Sequence, residues 1–149
     1  MLQFEGDMSF SQPLSEVAMK LSDAGFLVNS LPETEVTLAS PEKAAWKLRP
    51  KLSFITGALN AEMTRIASEP GKSAAFKVYT KAMGASSTTL TKLTFLEGEA
   101  GGTRVHWTGE VTEVTGLLKA VPKGLLQGTA QKVIEEVWAA VTARLNAGK

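Results

Sequence analysis

The chain has no cysteine, which removes disulfides, thiolate metal sites and cysteine nucleophiles together. Its single histidine, His106, has no second imidazole to join it, so a metal centre is not expected. Neither sign of charge dominates: sixteen Lys and Arg against fifteen Asp and Glu leave a formal net charge of +1. That balance is too even to draw in nucleic acid or an anionic membrane over long range. No apolar run approaches the roughly 18 residues that span a bilayer, and the opening residues carry Glu5 and Asp7 where a secretory leader carries bases. These absences point to a cytoplasmic protein with no transmembrane segment and no nucleic-acid partner. What is present, 149 residues of which 44% are apolar and 21% charged, is the balance of one globular domain spanning 1–149.

The order of residues then sets the architecture. Leu2, Phe4, Met8 and Phe10 alternate with Gln3, Glu5, Asp7 and Ser9, the period of a half-buried strand. Leu14, Val17, Ala18 and Leu21 follow Pro13 at helical spacing, and Gly25–Leu31 forms a second short apolar piece stopped by Pro32. From Glu33 to Val114 the texture is period two. Six strands are expected, marked by Val36 and Leu38, Trp46 and Leu48, Leu59 to Met63, Phe76 and Val78, Thr88 to Leu96, and Thr103 to Val114. Turn signals separate them at Ser40-Pro41, Gly57, Glu69-Pro70-Gly71, Gly84 and Gly98–Gly102. In the last strand Val105, Trp107 and Val111 share a face opposite Arg104, His106, Thr108 and Glu110, so one side of an antiparallel sheet is covered and the other wet. The cover is a helix near the C-terminus, where Leu126, Ala130, Val133, Ile134, Val137, Trp138, Val141 and Leu145 make a wide apolar stripe. Pro122 fits its first turn, and Thr115 is a candidate cap for an earlier piece through Leu117–Val121.

Strand, two short helices, six strands and a long helix resemble the α+β helix-grip fold of the SRPBCC, or START/Bet v 1-like, superfamily. Gly102-Thr103-Arg104-Val105 entering the last strand, then Gly116-Leu117-Leu118 and the long helix, are similar to the carbon monoxide dehydrogenase CoxG family and its polyketide-cyclase-like relatives. Arg49–Gly57 resembles the kinked strand connection found there. The chain departs from the pattern where Val17-Ala18 and Pro32-Glu33 stand for the group's Val-Trp and Pro-Gly. The resemblance implies a curved seven-stranded antiparallel sheet gripping the long helix. It also implies a lipid-, quinone- or polyketide-like ligand between them, and a membrane-associated oxidoreductase as partner.

The expected ligand-binding set is Trp46, Leu48, Met63, Phe76, Val78 and Trp107 from the sheet, with Leu126, Ala130, Val133 and Val137 from the helix. A packed core would use the same residues. Gly124, Gly128 and Ala130 leave little side-chain volume near the helix start, and Met63 adapts to a guest. No catalytic residue and no cofactor is expected. His106 falls on the wet face, Glu110 and Glu113 read as opposite faces of one strand, and Ser86–Thr89 have no base placed beside them. Tyr79 turns inward only through a bulge. Arg49, Lys51 and Arg65 are candidates to anchor a head group, and Lys119, Lys123 and Lys132 among leucines suit a peripheral membrane or partner contact. The competing functions are a polyketide cyclase or dehydratase and an interaction module with a filled core.

Overall fold

Alternation of apolar and polar residues builds strand β1 (Leu2–Phe10), whose Leu2, Phe4 and Phe10 are buried while Gln3, Glu5, Asp7 and Ser9 lie on the open face. The computed structural model describes residues 2–30, 35–48, 59–82 and 84–147. After β1 come helices α1 (Leu14–Leu21) and α2 (Ala24–Ser30). Strands β2 (Glu35–Ala39), β3 (Lys43–Leu48), β4 (Leu59–Glu69), β5 (Ser73–Ala82), β6 (Ala85–Glu97) and β7 (Thr103–Gly116) follow, and helix α3 (Lys123–Ala147) closes the order. All six expected strands are present. The Arg49–Gly57 connection, with its break at Gly57, lies outside the described residues.

The strands form one antiparallel sheet in the order β1-β7-β6-β5-β4-β3-β2, so the first strand sits beside the last and only β1 and β2 are edges. This is the helix-grip arrangement that the sequence resembles. Turn chemistry fixes the hairpins. Between β4 and β5, Pro70 and Gly71 take the middle of a turn closed by the Lys72 N–H donating to the Glu69 carbonyl at 2.9 Å, with Gly71 at φ +76°. Between β2 and β3 the Ser40 hydroxyl accepts from the Lys43 N–H at 3.1 Å.

The helices grip one face of this sheet. Asp23 starts α2, its carboxylate accepting the Phe26 N–H at 3.2 Å, and α2 packs on β2 and β3 while α1 packs on β6 and β7. Phe26 lies between two cations, with Lys20 of α1 at 5.9 Å and Arg144 of α3 at 4.9 Å from its ring centre. The two short helices and the C-terminal end of α3 are thereby joined. Here the core is sealed: Val17, Leu21, Val28, Phe76, Leu93, Val105, Val141 and Leu145 are all buried to 1% exposure or less.

The long helix begins where expected, with the Leu125 and Leu126 N–H groups donating to the Pro122 carbonyl at 3.0 Å. Thr115 does not cap it. It belongs to β7, and its hydroxyl pairs with that of Ser86; the piece before α3 is a single 3-10 turn, Leu117–Ala120. One bulge also changes a face. Glu113 pairs with Thr88 but Val111 pairs with Thr89, leaving Thr112 as an extra residue in β7 whose hydroxyl donates to the Thr88 carbonyl at 3.4 Å. The extra residue reverses the alternation, so Glu110 and Glu113 stand on the same outer face rather than on opposite ones.

Candidate functional site between sheet and helix

The inner face of the sheet carries Leu59, Ala61 and Met63 of β4, Val78 of β5 and Val111 of β7, and the facing stripe of α3 carries Leu126, Ala130, Ile134, Val137 and Trp138. Most of these apolar side chains are only partly buried. The contrast with the sealed end runs along α3 itself: Leu126, Ala130 and Val137 keep access to solvent, whereas Val141 and Leu145 keep almost none. Backbone approach follows the same gradient. Among the described residues α3 comes close to β1 and α2 but stands off the central strands β4, β5 and β6. The helix therefore rests on the sheet at its C-terminal end and bridges it at its N-terminal end. Half-exposed apolar groups facing each other across such a gap have surface that a guest molecule can cover.

Seven expected ligand-binding residues border this gap or adjoin it: Met63, Val78, Trp107, Trp46, Leu126, Ala130 and Val137. Trp46 and Trp107 are buried, at 8% and 6% exposure. Phe76 shares the inner face but sits at the sealed end, 1% exposed. Leu48 lies in β3 and Val133 in α3, and their side chains are outside the described residues. Trp107 is seated by a glycine. A Cβ placed on Gly6 would fall 2.8 Å from three atoms of its indole, so the ring lies directly over the β1 backbone, and its centroid is 6.2 Å from that of Trp138 at an interplanar angle of 37°. Gly6→Ala is expected to push the indole off β1, changing the near-ultraviolet circular dichroism and tryptophan emission while far-ultraviolet spectra stay native. Unchanged aromatic spectra would contradict this packing.

Two concavities are developed elsewhere. One of about 620 Å³ runs along the free edge of β1 beneath α3, with Met8, Trp107, Trp138 and Ala139 in its walls. Another of about 660 Å³ lies mostly on the outer face, over Ile66, Ala75, Leu90 and the Gln3–Glu110 hydrogen bond of 2.8 Å.

The polar candidates are accounted for largely by partners within the fold. His106 lies on the wet face, as the alternation of β7 predicts, with Nδ1 3.1 Å from Asp7 and Nε2 3.7 Å from Glu5. Arg104 adds a contact of 3.8 Å to Asp7, so these exposed groups join β1 to β7. Sequence reasoning missed the two acids, although the alternation of β1 puts both on the outer face. Tyr79 is exposed, because the β5–β6 pairing runs without a bulge, and the inward turn considered for it does not occur. Arg65 is not free to hold a head group: its guanidinium donates to the Ser22 carbonyl at 2.9 Å and meets Glu42 at 3.8 Å. Arg49 and Lys51 lie outside the described residues. At the open end Lys119 and Lys123 are exposed, and Leu125 is 51% exposed. No described helix is long and apolar enough to cross a membrane.

Comparison with solved structures shows the same fold at low sequence identity. A conserved protein from Geobacillus kaustophilus superposes with a TM-score of 0.83 at 17% identity, over 98% of this chain and 96% of that one. Protein Ms6760 from Mycobacterium smegmatis gives 0.66 at 19% identity, over 99% and 93%. DynU16, from the dynemicin biosynthetic locus, gives 0.64 at 14% identity, over 99% of this chain and 48% of its own. A comparison with curated protein sequences finds no match. The family model of CoxG, the G component of carbon monoxide dehydrogenase, matches residues 6–146, from the first strand to the end of the long helix. By that match the chain belongs to the carbon monoxide dehydrogenase CoxG family.

Proposed function

We propose that this protein is a carrier that holds a small hydrophobic or amphipathic molecule between its sheet and the N-terminal half of α3, with no chemistry of its own. One observation carries the reading: Met63, Val78, Val111, Leu126 and Val137 are apolar, face the gap and remain partly exposed, while the same sheet and helix are sealed at the other end. Each methylene buried there would contribute about 0.8 kcal/mol, so an eight-carbon segment would bring roughly 6 kcal/mol before the entropy cost of binding. The cyclase reading needs an acid or base aimed at the guest. Among the described inner-face residues of the strands the one charged side chain is Arg65, which is already engaged.

Membership of the CoxG family supports an accessory role beside an oxidoreductase, in which the protein would present a lipid or quinone to that enzyme. The exposed Lys119, Lys123 and Leu125 at the open end suit brief contact with a membrane or partner surface during loading. Native mass spectrometry of protein purified from its own source, followed by organic extraction, tests the carrier reading. A stoichiometric apolar adduct is expected, and Ala130→Trp, which fills the gap from the helix side, is expected to abolish it with folding intact. A clean apo mass that persists after incubation with lipids and quinones would sink the proposal and leave the filled-core interaction module ahead.

A further inference from the structure

The floor of the gap is not uniformly apolar. Thr80 of β5 and Ser87, Thr89 and Thr91 of β6 all lie on the inner face, because they alternate in step with Val78 and with the buried Leu93 and Ala85. Register brings them together: Thr80 pairs with Ser87, Thr89 with Val78 and Thr91 with Phe76. All four side chains are intermediate in burial. The Thr80 and Ser87 hydroxyls satisfy each other at 2.5 Å, whereas those of Thr89 and Thr91 have no partner among the described residues. At about 3.3 Å per residue, Ser87 to Thr91 is a polar stripe roughly 13 Å long, running from the open end towards the sealed core. No carboxylate or lysine shares the described inner face of the strands, and Arg65 is held by Ser22 and Glu42.

From this arrangement we infer that the guest is a neutral molecule whose hydroxyl or carbonyl oxygen meets Thr89 and Thr91. A fatty acid or a phospholipid head group is the wrong chemistry here. This rests on the carrier reading and narrows it. A carboxylate or phosphate brought onto the stripe would lose water and find no cation, which disfavours its charged form. A purely hydrocarbon guest would instead strand the two threonine hydroxyls against apolar surface. A neutral oxygen function avoids both costs, since a hydroxyl side chain both donates and accepts. The stripe therefore selects by polarity, while the surrounding apolar walls supply the affinity.

The test uses three probes on the whole protein: pyrene, which is hydrocarbon only, and dodecanol and dodecanoate, which share one chain. Binding is followed by the emission of Trp46, Trp107 and Trp138. Dodecanol is expected to bind at least about tenfold more tightly than dodecanoate at about pH 8, where the acid is ionised. In the Thr89→Val, Thr91→Val double variant, isosteric at both sites, dodecanol is expected to weaken about tenfold while pyrene binds unchanged or more tightly. Equal binding of dodecanoate, or an unchanged dodecanol affinity in the double variant, overturns the inference and leaves the carrier reading standing if pyrene still binds. If none of the three probes binds the natural chain, both readings fall together.

Discussion

Phe76→Ala is expected to lower the folding free energy by about 3–5 kcal/mol. The ring is 1% exposed at the end where α1, α2 and the last turns of α3 meet the sheet. Its strand is central, paired through Arg65 on one side and Thr91 on the other, so the neighbours cannot collapse into the space a methyl would leave. Met63→Ala is the informative comparison. Met63 lies on the adjacent strand and the same face but is only partly buried, so the same truncation removes fewer packed contacts and is expected to cost about 1 kcal/mol or less. Urea unfolding followed by circular dichroism separates them. The opposite ranking would mean that the gap is filled and that the sealed and open ends of the core do not differ. Ligand binding should rank the other way, with Met63→Ala weakening the guest and any folded Phe76→Ala protein retaining it.

That gradient is what the sequence did not reveal. The strands were legible because one face of the sheet is dry: Val105 and Trp107 against Arg104 and His106 state the period without any need of neighbours. The length and apolar stripe of α3 were legible for the same reason, at helical spacing. Leu126 and Leu145, however, occupy equivalent positions on that stripe, and nothing in their local sequence says that one is sealed and the other half exposed. The difference comes from α1 and α2, which reach α3 only at its C-terminal end, where Phe26 is held between Lys20 and Arg144. It is a tertiary property, set by contacts between residues more than a hundred positions apart. The bulge at Thr112 was hidden in another way, since one extra strand residue carries no compositional mark although it carries Glu113 to the other face. Likewise Gly6 reads as a weak point in a strand until the register puts Trp107 opposite it.

Gly116→Ala is expected to be comparably damaging, at roughly 3–5 kcal/mol, although it adds only one methyl group. Gly116 ends β7 at φ +63°, a left-handed conformation that costs an alanine about 1 kcal/mol before any clash. The clash is larger. An added Cβ would stand 1.9 Å from the Gly84 carbonyl oxygen and 2.8 Å from the Gly84 carbonyl carbon, and both are backbone atoms that no rotamer change can move aside. Gly84 is itself at φ +77°, so the start of β6 and the end of β7 cross at two glycines. Gly128→Ala supplies the control, because the same methyl there meets nothing within 4 Å and replaces a glycine inside α3. That change is expected to stabilise the protein by up to about 1 kcal/mol. The two alanines should therefore move the urea midpoint in opposite directions, and a Gly116→Ala midpoint at or above that of the natural chain would refute the crossing. The consequence reaches the site, because the chain leaves the sheet at Gly116, makes the turn through Leu117–Ala120 and starts α3 at Lys123. If the crossing opens, the N-terminal half of α3 loses the direction that holds it above β4 and β5. A Gly116→Ala protein that still folds should therefore bind pyrene more weakly than the natural chain, even though no atom of Gly116 faces the guest.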